Sequence, residues 1–92
     1  MILEIISPEA VLFKGEVISV TVPGTNGEFQ MLNNHAAIVS SLGKGTVRFE
    51  GNNVSFSKDV AAKFSQQGAT YSLAINSGTL EMNNNKAIVL VD

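Results

Sequence analysis

Apolar and polar positions alternate with a period of two along most of this chain. In Glu16–Val22, Ile18, Val20 and Val22 fall on one face, while Ser19 and Thr21 fall on the other. That period belongs to a half-buried strand. The same pattern predicts a first strand over Leu3–Ile6, with Leu3 and Ile5 inward, and a short second run at Val11–Phe13 closed by Lys14–Gly15. Pro23–Gly24 is read as the stop of the Glu16–Val22 strand. Glu28–Met31 then resumes the alternation, with Phe29 and Met31 inward. Ala37–Leu42 and Thr46–Glu50 follow as strands, the latter burying Val47 and Phe49.

The turns are punctuated by residues that tolerate positive φ. Asn26–Gly27 is the strongest hairpin signal. Asn33–Asn34, Gly43–Lys44–Gly45, Gly51–Asn52–Asn53, Asn76–Ser77–Gly78 and Asn83–Asn84–Asn85 mark further turns. Between residues 51 and 69 the pattern weakens. Val54 and Phe56 fit a strand, and Ser57–Gln67 fits two descriptions. One is a short helix capped by Ser57, with Val60, Ala61 and Phe64 on one face and Gly68 as its stop. The other is a poor strand over Ala62–Ser65. The first is slightly favoured. Order returns with Tyr71, Leu73 and Ile75 on one face, then Leu80 and Met82 on another strand. Lys86–Val91 is apolar on both faces, as in a strand inside a packed sheet. Short strands with frequent turns predict an all-β sandwich or barrel. No repeat or linker divides the chain, so residues 1–92 are read as a single domain.

Composition removes several function classes. Charged residues make up 15% of the 92 positions, the net charge is −2, and no Lys/Arg cluster exists. Nucleic-acid binders draw much of their affinity from neutralised phosphates, so no nucleic-acid partner is expected. There is no cysteine, which excludes disulfides and thiolate chemistry and suits a cytosol-facing protein. Met1–Glu4 lacks the basic start of a signal peptide. Apolar runs reach about five residues, against the roughly 20 a spanning helix needs.

The stretch Val22–Ala37 gathers the unusual residues, including Pro23, two glycines and the single His35. A lone histidine without cysteines is a poor metal site, and its plain reading is a loop imidazole bonded to backbone. No serine lies in a G-x-S-x-G elbow. Gly43–Lys44–Gly45–Thr46 resembles part of a phosphate loop but fails the pattern. Ile38 stands where the first glycine belongs, and Lys44 is followed by Gly45. Gly24 and Gly27 lack the third glycine of a dinucleotide fingerprint. Glu28, after the turn and opposite in phase to Phe29, is expected to be exposed. No catalytic, cofactor or metal residue is expected, and the residues alone point to an interaction module.

Several stretches in order nevertheless carry a resemblance. They are Leu3–Glu9, Leu12–Val17, Val22–Phe29 with Leu32 and Asn34–His35–Ala36, Leu42–Arg48, and Gly78–Met82 with Asn84–Lys86 and Val89–Asp92. Together they resemble the N-terminal β-sandwich domain of the epsilon subunit of F-type ATP synthases. Ala37 and Lys44 stand where that family usually has proline, and segment 51–69 is longer than its usual connection. The resemblance implies a ten-stranded β-sandwich of two five-stranded sheets, here without the C-terminal helical hairpin that many relatives carry. It implies a non-catalytic central-stalk rotor component that couples proton flow to ATP synthesis. The implied partners are the gamma subunit and the c ring, with Glu28, Lys44 and Gly45 facing the ring and His35, Asn34 and Ala36 facing gamma. Membrane association would arise only through the complex, on the cytoplasmic face of the bacterial inner membrane or its organellar equivalent. The alternative reading is a stand-alone β-sandwich module that binds a ligand or peptide.

Overall fold

A computed structural model describes residues 1–92. Ten strands form: β1 (Ile2–Ile6), β2 (Val11–Glu16), β3 (Ser19–Gly24), β4 (Gly27–Leu32), β5 (Ile38–Leu42), β6 (Gly45–Glu50), β7 (Phe64–Gln67), β8 (Thr70–Ile75), β9 (Gly78–Asn83) and β10 (Lys86–Val91). A four-residue helix, α1 (Lys58–Ala61), lies between β6 and β7. Two groups of five are hydrogen-bonded side by side, in the orders β2-β1-β10-β9-β5 and β4-β3-β6-β8-β7. A single residue pair, Gly24 with Leu42, joins them. The result is one curled sheet closed over itself, the expected sandwich of two five-stranded sheets. All neighbouring strands are antiparallel except β1 and β10.

The inward-facing residues of both halves build one core of 20 buried apolar side chains. Leu3 and Ile5 of β1, Val20 and Val22 of β3, Met31, Val47 and Phe49, Leu80 and Met82, and Ala87 and Val89 are its centre. No polar or charged residue is buried. Burial of apolar surface therefore supplies the drive to fold, without buried charge to desolvate. Phe49 is the hub of an aromatic cluster. Its ring stacks on Phe13 at 4.8 Å and on Tyr71 at 5.7 Å, and meets Phe64 edge-on at 6.1 Å. Offset and edge-to-face geometries of this kind add to plain burial.

Pro23 and Gly24 do not stop β3, which runs through them and pairs them with Glu28 and Gly27. β6 accompanies β3 over Ser19–Thr21, and β5 meets it only at Gly24. Pro23 sits at the gap between them. Its carbonyl accepts from the Gly43 N–H at 2.8 Å, so the missing proline N–H faces that same gap and costs the ladder nothing. Ile18 is 45% exposed and lies in the link before β3, whereas Val17 is buried in its stead. The link is pinned on both sides, Val17 N–H to the Met1 carbonyl and Ile18 N–H to that of Glu50, both at 2.8 Å. This kink breaks the alternation one residue earlier than the pattern suggests.

In the weak segment both sequence descriptions are partly realised. Ser57 precedes α1, although its side chain makes no cap bond, and Val60 is buried. Val54 and Phe56 form no strand, yet both pack on the core. Phe64 belongs to β7 rather than to the helix. Gly68, with φ 62°, turns the β7–β8 hairpin instead of ending α1. In β10, Ala87, Val89 and Val91 are buried but Leu90 is 48% exposed, so the strand is covered on one face and not on both.

Candidate functional site

The register collects the turns at two opposite ends of the sandwich. One end holds the row Gly24, Leu42, Gly78 and Val91, paired across four strands. We call it the Pro23 end. The β3–β4 loop is two residues long, Thr25–Asn26, between the paired Gly24 and Gly27. Asn26 keeps negative φ and Gly27 alone takes +122°, so half of the conformational reading of Asn–Gly holds. The β5–β6 turn is bonded directly to this hairpin. Gly43 N–H donates to the Pro23 carbonyl at 2.8 Å, and Thr25 N–H donates to the Ser41 carbonyl at 3.0 Å. A Cβ on Gly45 would stand 2.7 Å from the Pro23 ring. Glycine is needed there because the turn packs against proline.

Glu28, Lys44 and Gly45 are thus brought to one end. Glu28 is exposed but not isolated. Its Oε1 accepts a 2.7 Å bond from Arg48 Nη2. Glu28 pairs with Pro23 and Arg48 with Thr21, so the ion pair crosses β3 diagonally over its outer face. The hydrogen bond from Arg48 holds the Glu28 carboxyl below its ordinary value, and the same bond raises Arg48. Both side chains are substantially exposed, 40% for Arg48 and 50% for Glu28, so screening keeps the pair's contribution to stability small.

The other end, the Asn85 end, is built from asparagines. Asn34, Asn84 and Asn85 all take positive φ, at 62°, 51° and 59°. Asn84–Asn85 form the two-residue loop between the paired Asn83 and Lys86, the mirror-image geometry that suits strand twist. The Asn85 side-chain oxygen accepts from Asn34 N–H at 2.8 Å. Asn33 Oδ1 accepts from the Met1 amino group at 2.7 Å. This network fixes the β4–β5 turn that carries His35. The imidazole is half-buried, with Nδ1 2.7 Å from the Ala36 carbonyl. His35, Asn34 and Ala36 therefore lie together, at the end opposite to Glu28. The plain reading of His35, a ring bonded to backbone, matches this geometry.

Arg48 is the residue that sequence reasoning left without a role. Nothing in its spacing from Glu28, 20 positions away, signals a contact; only the shared strand β3 reveals it. No cluster of three His, Cys, Asp or Glu side chains is placed to hold a metal ion. The largest surface hollow, about 370 Å³, is lined by Ile6, Ser7, Pro8, Thr79, Leu90 and Asp92 among others and gathers no titratable side chain except Asp92. No helix is long and apolar enough to cross a membrane.

Fold and site together define a small all-β sandwich domain whose distinctive side chains sit in turns at two opposed ends. Its residues 1–92 match the family described as ATP synthase, Delta/Epsilon chain, beta-sandwich domain, and the chain belongs to that family. It is 34% identical over 90 residues to an ATP synthase epsilon chain from Sulfurimonas denitrificans, covering 98% of this chain and 58% of that one. It is 36% identical over 90 residues to the epsilon chain from a Nitratiruptor species, covering 98% and 59%. The chain thus spans less than two thirds of the length of these relatives. Two solved assemblies share the fold. A chain of the Euglena gracilis mitochondrial ATP synthase (OSCP/F1/c-ring) superposes with a TM-score of 0.73 at 18% identity, covering 99% of this chain and 49% of that one. A chain of the Tetrahymena thermophila mitochondrial ATP synthase (central stalk/c-ring) gives 0.70 at 15% identity, covering 99% and 62%.

Proposed function

We propose that this chain is a non-catalytic epsilon-type component of the central stalk of an F-type ATP synthase, docked between gamma and the c ring. One end of the sandwich would transmit torque from the ring and the other would grip gamma, coupling proton flow to ATP synthesis. The observation that carries this reading is the separation of two stiff turn clusters, Glu28 with Lys44 and Gly45 at the Pro23 end and Asn34 with His35 and Ala36 at the Asn85 end. A part that passes torque needs two attachment areas and a rigid body between them, and a core without buried polar groups supplies the body. The domain does no chemistry of its own in this reading. It sits at the cytoplasmic face of a bacterial inner membrane, or the organellar equivalent, through its partners alone.

A stand-alone ligand-binding module is the weaker reading, because the largest hollow offers only the hydroxyls of Ser7 and Thr79 and the Asp92 carboxylate as polar side chains, few for a site that must orient a ligand. The test is reconstitution. Added to the remaining subunits of a complex stripped of epsilon, the chain is expected to join gamma one to one and to restore proton-driven ATP synthesis. Failure to associate with gamma would overturn the proposal.

A further inference from the structure

The Glu28 carboxylate carries one ordered bond, from Arg48 to Oε1; its side chain is half exposed. The bond fixes a side chain that would otherwise sample several rotamers at the rim of the Pro23 end. The framework around it is stiff. Gly24 is packed so closely that a Cβ there would stand 2.7 Å from the Gly27 carbonyl and 2.9 Å from the Phe29 ring. The hairpin that bears Glu28 is bonded to the β5–β6 turn through Pro23 and Thr25. Arg48 comes from β6, the strand that follows that turn. The pair is therefore a side-chain strut laid over a backbone joint, and it ties β4 to β6 across β3.

We propose that Arg48 is a positioning residue, which holds Glu28 aimed so that the free carboxylate oxygen meets a hydrogen-bond donor or cation of the partner docked at the Pro23 end. The inference rests on the reading that Glu28 faces the ring. The partner chemistry follows from the acceptor: a carboxylate with one satisfied oxygen calls for a Lys, an Arg or a group of backbone N–H donors. Arg48 has the right form for the task. Its planar guanidinium stays charged at every working pH and loses little further freedom once its bond is made. The depressed titration of Glu28 agrees with this role, since the hydrogen bond from Arg48 is its largest cause. An ordered carboxylate saves the ordering cost that a free side chain meets on binding.

The experiment measures affinity of the chain for a detergent-purified gamma–c ring subcomplex, using Arg48→Gln, Glu28→Gln and the double variant. Arg48→Gln is expected to weaken binding roughly threefold to tenfold, the scale of ordering one long side chain. The double variant is expected to bind no more weakly than Glu28→Gln alone, because Arg48 acts only through Glu28. In the free chain, the Glu28 carboxyl resonance of Arg48→Gln should titrate at a higher pH than in the parent. If Arg48→Gln binds as well as the parent or better while Glu28→Gln binds less, the positioning role is wrong and the ring-facing reading stands. An added loss from Arg48→Gln in the Glu28→Gln background would overturn it too, by showing that Arg48 touches the partner itself. If Glu28→Gln binds like the parent, the reading beneath the proposal fails with it.

Discussion

The two ends of the sandwich reach stiffness by different routes. At the Pro23 end, Gly24, Gly45 and Gly78 are packed so closely that no Cβ fits, and turns bond to each other through main-chain groups. At the Asn85 end, Asn34, Asn84 and Asn85 adopt left-handed backbone, and the Asn85 side chain bonds the neighbouring turn. The first route depends on the absence of side chains, the second on their presence. An end held by close backbone approach is intolerant of any added atom. An end held by asparagines depends on residues that tolerate left-handed backbone and, at Asn85, on an amide oxygen that satisfies the Asn34 N–H.

The largest effect is expected at Gly78, in the Pro23 end. A Cβ there would run into the main-chain oxygen of Leu90 on the paired strand, which cannot swing aside as a side chain can. Gly78→Ala should cost about 1–3 kcal/mol, the usual range for overpacking, read as a lower urea midpoint at constant slope. An unchanged midpoint would show that the end has slack and would break the contrast.

At the Asn85 end, Asn84→Ala places an ordinary L-residue at φ 51°. The expected loss is about 1 kcal/mol, and Asn84→Gly should recover most of it. Equal losses in both variants would mean that the asparagine side chain matters more than its backbone.

The smallest effect concerns pH. Glu28 titrates below its ordinary value in the folded chain because of its bond from Arg48. Its contribution is thus present above the unfolded value and is lost as pH falls through the folded one. Glu28→Gln should slightly flatten the decline of stability as pH falls below the ordinary glutamate value. A parent and variant with identical slopes would remove the ion pair from the description of this end.

Alternation by itself located nearly every strand, because each half of the sheet buries one face and a period of two is its direct imprint. Besides the exposed Leu90 of β10, three places escaped it. Val17 and Ile18 exchange roles because a link between strands obeys its hydrogen bonds to Met1 and Glu50, not the pleat. Pro23 read as a stop because the bifurcation of β3, where a proline is harmless, is a tertiary fact. Phe56 and Phe64 read as parts of separate elements, while their rings stack at 4.1 Å and close the core beside Phe49. The candidate site was legible as turn residues and, through family resemblance, as two groups. The opposition of those groups follows from the register alone. Arg48 was illegible, since only the shared neighbour β3 sets it beside Glu28.

The claim that the two ends meet different partners has a direct test, helped by the absence of cysteine from the chain. A single cysteine is introduced at Lys44→Cys or at Ala36→Cys, both exposed positions, and carries a short photo-crosslinker in the assembled ATP synthase. The account predicts that the label at position 44 joins the c ring and the label at position 36 joins gamma. Both labels joining one subunit, or the two targets reversed, would contradict it.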